Sequence, residues 1–149
     1  MTDRTDLIAL LREEIETLDQ AAFVLSRSYE RCGRTGEKDT HDEELDERFE
    51  ALTSRFARLS DILVQRFLRL LDTLDLEPPG TARDRINRAE KNGIIESADS
   101  FVGMRLLRNR ITHEYALDAI AELHGEVMAF TPVLLETVTR AREYARRYL

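Results

Sequence analysis

The sequence predicts an all-α fold, an antiparallel bundle of four main helices with one short accessory helix, and three observations predict it. Apolar residues recur at spacings of three and four, which matches a helical repeat and no strand alternation. Six glycines and three prolines in 149 residues leave few breaks for turns. The strongest breaks, at Gly33, at Pro78-Pro79-Gly80 and at Asn92-Gly93, separate one apolar stripe from the next. The length suits a single core, so residues 1–149 read as one domain.

The first stripe is Leu7, Leu11, Ile15, Leu18, Ala22, Leu25, Tyr29 and Cys32. Its helix should stop near Cys32-Gly33, where glycine readily takes a left-handed cap, and a polar loop runs on to about Asp42. The second stripe is Leu45, Phe49, Leu52, Phe56, Leu59, Leu63, Phe67, Leu70 and Leu74. A regular helix over 43–75 would be roughly 50 Å long, and Pro78-Pro79-Gly80 ends it. Thr81 and Asp84 come close to a capping box for a short third helix, closed by Asn92-Gly93. Ser97 starts a fourth helix carrying Phe101, Met104, Leu107 and Ile111. Asp118 reads as the N-cap of a fifth, with Ile120, Leu123, Val127, Leu134, Val138, Ala141 and Ala145 along one face. Pro132 lies well inside that helix and should kink it, because proline removes an amide donor and crowds the preceding turn.

Charge is unevenly spread. The chain carries a net charge of −7, which argues against a protein held to nucleic acid by bulk charge alone. Residues 37–50 hold eight acidic and two basic side chains, so the acidity belongs to one end of the chain. No apolar run approaches the roughly 20 residues of a membrane span. The opening residues are acidic and amphipathic, unlike a secretory signal, and the single cysteine, Cys32, has no internal partner, so a reducing cytoplasmic setting is expected. Cys32 falls on the apolar stripe and reads as buried filler. His41, His113 and His124 lack metal-ligand spacing, so neither a metal nor a cofactor is expected. His124 reads as a surface or boundary residue. Phe49, Phe56 and Phe67 read as core, while Tyr144 and Tyr148 among C-terminal arginines suit either nucleic-acid contact or a frayed, solvated helix end.

One segment concentrates reactive groups. Arg105, Arg108, Asn109, Arg110, His113 and Tyr115 lie within eleven residues at the end of an apolar helix. Asn109 and His113 share a helical face, as do Arg108 and Thr112, whereas Arg108 and His113 are about 140° apart around the axis. Arginine neutralises phosphoryl oxygens bidentately and histidine moves protons near neutral pH, so the set suits phosphate chemistry. Arginine and histidine in a last turn also serve simply to satisfy terminal carbonyls and complement the helix dipole.

The string Arg108-Asn109, His113 and Tyr115 resembles the Arg-x4-His-x-Tyr signature of HepT-like proteins in the HEPN superfamily, including the asparagine after the arginine. The specific match covers about ten residues, and the order of helices is consistent with the family. The resemblance implies a HEPN-like bundle that forms a homodimer with the arginine and histidine of both protomers around a shared cleft. It implies a metal-independent endoribonuclease toxin whose cognate antitoxin is a minimal nucleotidyltransferase. By that analogy Arg108 binds the scissile phosphate of an RNA substrate, His113 serves as general base or acid, and Asn109 orients one or the other. Arg105 and Arg110 would add substrate-binding charge, and Tyr115 would be the tyrosine that the antitoxin modifies with AMP. The alternative is a non-catalytic HEPN-type subunit that binds or presents substrate to a nucleotidyltransferase.

Overall fold

The computed structural model describes residues 3–34, 43–113 and 117–149. Residues 35–42, which hold His41 and the first part of the acidic 37–50 run, and residues 114–116, which hold Tyr115, lie outside the described residues. The described residues form an all-helical bundle: α1 (Arg4–Arg34), α2 (Glu43–Asp61), a π-helical segment (Ile62–Phe67), α3 (Leu68–Leu74), α4 (Ala82–Lys91), α5 (Ala98–His113), α6 (Leu117–Ala145) and a closing 3-10 turn (Arg146–Tyr148). α1 packs along α2, and α6 packs on α1, α2 and α5. The short α4 bridges α3 and α5.

The apolar stripes become the core. Leu11, Leu18 and Leu25 of α1 meet Leu52, Phe56 and Leu59 of α2, all fully buried, with Met104 and Leu107 of α5 and Val127 and Leu134 of α6 closing the interior. Cys32 is buried as expected, and burial pushes its thiol pKa up against the opposing charge of Arg48.

The expected regular helix over 43–75 is corrected in its middle. Ile62 to Phe67 form a π-helical turn, and Ile62, Leu63 and Val64 are all buried. A regular helix spreads three consecutive residues over about 200° and cannot aim them all at one core stripe. Here α1 and α4 pack on the segment together, so neighbouring faces are covered. Inside the widened turn the Val64 carbonyl accepts from Arg85 Nε at 3.1 Å. Arg85 is 9% exposed and also donates to the Gly80 carbonyl and to Gln65 Oε1. One long side chain from α4 thus satisfies the irregular stretch of backbone and the chain reversal beside it.

Two helices end in the same backbone motif. After α4, Gly93 takes φ 77°, with hydrogen bonds from Gly93 N to the Glu90 carbonyl and from Ile94 N to the Ala89 carbonyl. After α3, Leu76 takes φ 61°, with Leu76 N on the Thr73 carbonyl and Glu77 N on the Asp72 carbonyl. Both are left-handed C-caps with crossed hydrogen bonds. Glycine fits the conformation without strain; leucine does not.

Helix starts match the sequence in two cases. Thr81 and Asp84 complete a capping box, Asp84 N donating to Thr81 Oγ1 and Thr81 N to Asp84 Oδ2. Ser97 Oγ accepts from Ser100 N, and Glu90 Oε2 accepts from Ala98 N, so α5 is capped from its own chain and from α4. Asp118 is a correction: α6 already includes Leu117, so Asp118 lies inside the helix instead of capping it. Pro132 does not interrupt α6, which runs from Leu117 to Ala145.

The C-terminus is tied down through its tyrosines and is not frayed. The hydroxyls of Tyr144 and Tyr148 both donate to the Asp75 carboxylate at the end of α3. Burial, together with that hydrogen bond, pushes the Tyr144 pKa up to about 12. Near the opposite end, His124 of α6 stacks on Phe49 of α2 with ring centroids 4.6 Å apart and planes 12° from parallel. Among the described residues no helix is long and apolar enough to cross a membrane.

Candidate active site

α5 runs from its Ser97 cap to His113, and its register decides what each polar side chain meets. Phe101, Met104 and Leu107 face the core. That turns Arg105 and Arg108 toward Asp61 at the end of α2. Arg108 donates from Nε to Asp61 Oδ1 at 2.9 Å and from Nη2 to Oδ2 at 2.7 Å, a side-on bidentate pair. Its Nη1 donates to Thr112 Oγ1 at 3.0 Å, one turn further along α5. Arg105 donates from Nη1 to the same Asp61 Oδ1 and to Ser60 Oγ, both at 2.9 Å. Asp61 therefore carries two guanidinium groups.

Burial alone would raise the Asp61 carboxyl pKa, but the hydrogen bonds and charges of Arg108 and Arg105 outweigh it and hold the group below its ordinary value. Arg108 is correspondingly held more firmly charged, first by its hydrogen bond to Asp61. A guanidinium has five N–H groups in a fixed plane. Three of them are engaged by Asp61 and Thr112, which leaves one on Nη1 and one on Nη2. These two N–H groups have no acceptor among the described residues and can serve a second oxyanion.

The other predicted residues are placed differently. Asn109 and His113 are exposed and lie four apart on the outer face of α5. Leu106, 60% exposed, lies on that same face, with half-buried Val102 one turn before it. Among the described residues no hydrogen bond joins Arg108, Asn109 and His113 to one another, because the Arg108 guanidinium is turned to Asp61 and Thr112. Arg110 points to α6, where its Nη1 donates to Glu126 Oε2 at 2.6 Å. Two residues are about 200° of helix, so Arg108 and Arg110 leave α5 on opposite sides. Tyr115 lies outside the described residues.

Sequence reasoning missed Asp61, Ser60 and the structural use of Arg105. Asp61 stands 47 residues before Arg108 in the chain, and nothing local to it signals a partner. The signal that existed was an acidic residue soon after the buried Leu59 in an otherwise regular apolar stripe. The basic cluster at 105–110 is thereby divided: one charge braces Asp61, one is held by it, and one serves the α5–α6 contact.

Compared with protein-family models, curated proteins and solved structures, the chain matches none.

Proposed function

We propose that the chain is a HepT-like endoribonuclease toxin of the HEPN superfamily, cleaving RNA by a metal-independent route at a site completed in a homodimer. The observation that carries this reading is the treatment of Arg108. Asp61 takes its side-on edge and fixes the plane, and two further N–H groups, without an acceptor among the described residues, remain for a phosphoryl oxygen. Asn109 and His113 are exposed in the last turns of the same helix, next to the apolar Leu106. An exposed leucine beside polar reactive groups suits a seam that a second copy covers, bringing one protomer's His113 to the other protomer's Arg108.

In that site the ribose 2′-oxygen attacks the adjacent phosphorus and the 5′-oxygen leaves. The product ends are a 2′,3′-cyclic phosphate and a 5′-hydroxyl. His113 accepts the 2′-hydroxyl proton as a base, or protonates the leaving oxygen as an acid. Arg108 stabilises the charge that grows on the phosphoryl oxygens. Asn109, one residue on, orients the phosphate or the imidazole. Adenylylation of Tyr115 by a minimal nucleotidyltransferase would place an added anion two residues from His113 and repel RNA phosphate, which accounts for inhibition by such an antitoxin.

The test is incubation of purified protein with single-stranded RNA in excess EDTA, alongside Arg108→Ala and His113→Ala. Cleavage lost in both variants is expected. No cleavage by the parent protein, or cleavage indifferent to both substitutions, sinks the reading. Leu106→Glu adds a check on the seam: light scattering should show a dimer becoming a monomer with its helical content retained.

One observation favours a second reading. Arg108 spends three donors within its own fold, as a structural ion pair does. A non-catalytic HEPN-type subunit would form a stable complex with a nucleotidyltransferase and leave RNA intact.

A further inference from the structure

Beside the Arg108 site a groove of about 490 Å³ runs between α1 and α2 and onto the π-helical segment. Its polar lining is Thr17, Gln20, Ser54, Arg55, Arg58 and Arg66, and among the described residues no aspartate or glutamate lines it. Two of its three arginines, Arg55 and Arg58, have no carboxylate at ion-pair distance among the described residues. Arg48, Arg83, Arg88, Arg110 and Arg142 each meet a carboxylate at 3.1 Å or less. In the groove Arg55 turns to neutral acceptors, Ser28 Oγ at 2.5 Å and the Val24 carbonyl at 3.5 Å. Arg58 is exposed and has no carboxylate at ion-pair distance among the described residues. Arg66 is neutralised by Glu14 at 2.7 Å.

The groove borders the α5 site through the chain itself, since Ile62 in its lining directly follows Asp61. Arg58 precedes Asp61 by three residues, one turn of α2, and Asp61 is the residue that holds Arg105 and Arg108. Arg55, Arg58 and Arg66 line the groove, and Arg105 and Arg108 are held by the residue before Ile62 of that lining; among the described residues the carboxylates paired to these five are Glu14 and Asp61. A cationic surplus along this stretch of a chain with net charge −7 is an anion site in electrostatic terms. Guanidinium groups stepped along a helix at about 5.4 Å per turn suit a run of phosphates better than one isolated ion.

We propose that this groove is a second phosphate-binding site, which receives the backbone of single-stranded RNA flanking the phosphate held at Arg108. The identity of the ligand rests on the ribonuclease reading; the binding of a phosphodiester chain is measured apart from cleavage. In a His113→Ala background, anisotropy of a labelled oligouridine is recorded over a series of salt concentrations. Each lost phosphate contact should lower the log–log salt slope by about 0.7 for a single strand. Arg58→Gln, at an exposed position, should lower it by about that much with unchanged thermal melting, and Arg55→Gln combined with Arg58→Gln by about twice as much.

An unchanged slope in both variants overturns the proposal even where the parent protein cleaves RNA. Equal, Arg58-dependent binding of a polyglutamate peptide also overturns it, marking the groove as a site for acidic protein. If the parent protein fails to cleave but the slope falls as expected, the groove stands and the nuclease reading fails.

Discussion

Arg108 and Asp61, from helices 47 residues apart in sequence, meet through two nearly parallel hydrogen bonds of 2.9 and 2.7 Å. Asp61 is also the last residue before the π-helical turn. A π-turn shifts the register of the residues beyond it, and such turns recur where a helix presents a functional side chain. The carboxylate that orients Arg108 therefore sits where the long α2–α3 rod changes pitch.

The first prediction concerns that carboxylate. Asp61→Asn keeps the shape but loses the charge and aims an amide N–H₂ at two guanidinium groups. Urea denaturation should show a loss of roughly 1–3 kcal/mol, toward the lower end because the pair is partly solvated. On the proposed ribonuclease reading, RNA cleavage should fall in kcat by more than KM rises, since Asp61 acts by positioning Arg108. A cleavage rate equal to the parent protein's would show that Arg108 needs no such support.

Acid sensitivity arises from the same group. Its folded-state pKa lies below the ordinary aspartate value of 3.8. The stability it contributes is fully present above 3.8 and is lost as pH falls through the lower folded value. Asp61→Asn should therefore flatten the acid limb of a stability–pH curve.

Arg85 offers a purely structural test. It donates to the Val64 and Gly80 carbonyls and to Gln65 Oε1 from a nearly buried position. Arg85→Met keeps much of the aliphatic stem and strands those acceptors. A loss of about 1–3 kcal/mol is expected in chemical denaturation, chiefly from the unsatisfied buried Val64 carbonyl. A loss under about 0.5 kcal/mol, the usual size for an innocuous surface change, would mean that the π-turn does not depend on this side chain.

Leu76→Gly should raise stability. The leucine is 86% exposed, so little burial is lost, and its φ of 61° is disfavoured for any side chain with a Cβ. Relief of about 1–2 kcal/mol of left-handed strain, less the backbone entropy of glycine, leaves a net gain of roughly 0.5–1 kcal/mol. A lowered melting temperature would contradict this.

His124 supplies a pH dependence nearer neutrality. Burial lowers its pKa below the ordinary 6.5, against the opposing charges of Asp46 and Glu50. A histidine with a depressed folded-state pKa favours the folded protein fully above 6.5, and that contribution is lost as pH falls toward the folded value. His124→Phe, which keeps an aromatic ring against Phe49, should remove this step from the stability–pH curve. Persistence of the step would assign it to another group.

Much of the fold was legible locally. The spacing of Leu11, Leu18 and Leu25, the Thr81–Asp84 capping box, the Ser97 cap and the Asn92-Gly93 stop are each written within one or two turns of chain, where helix physics operates. Leu76 shows the limit: it adopts the same C-cap conformation as Gly93, and its residue type gives no sign of it. The π-turn was hidden as well, because the stripe from Phe56 to Leu74 keeps regular spacing and only packing from α1 and α4 makes the widened turn favourable. Tyr144 and Tyr148 looked solvated among their arginines until Asp75 was brought beneath them.

The candidate site divides along the same line. The sequence by itself determined that Arg108, Asn109 and His113 share one helix and that Asn109 and His113 share a face of it, since 3.6 residues per turn leaves no other arrangement. Tertiary structure alone decided that Arg108 is braced by Asp61, that Arg105 shares that brace, and that Arg110 is drawn to Glu126 on α6. Each is a contact between side chains far apart in the chain, and their donors are satisfied only when α2, α5 and α6 pack.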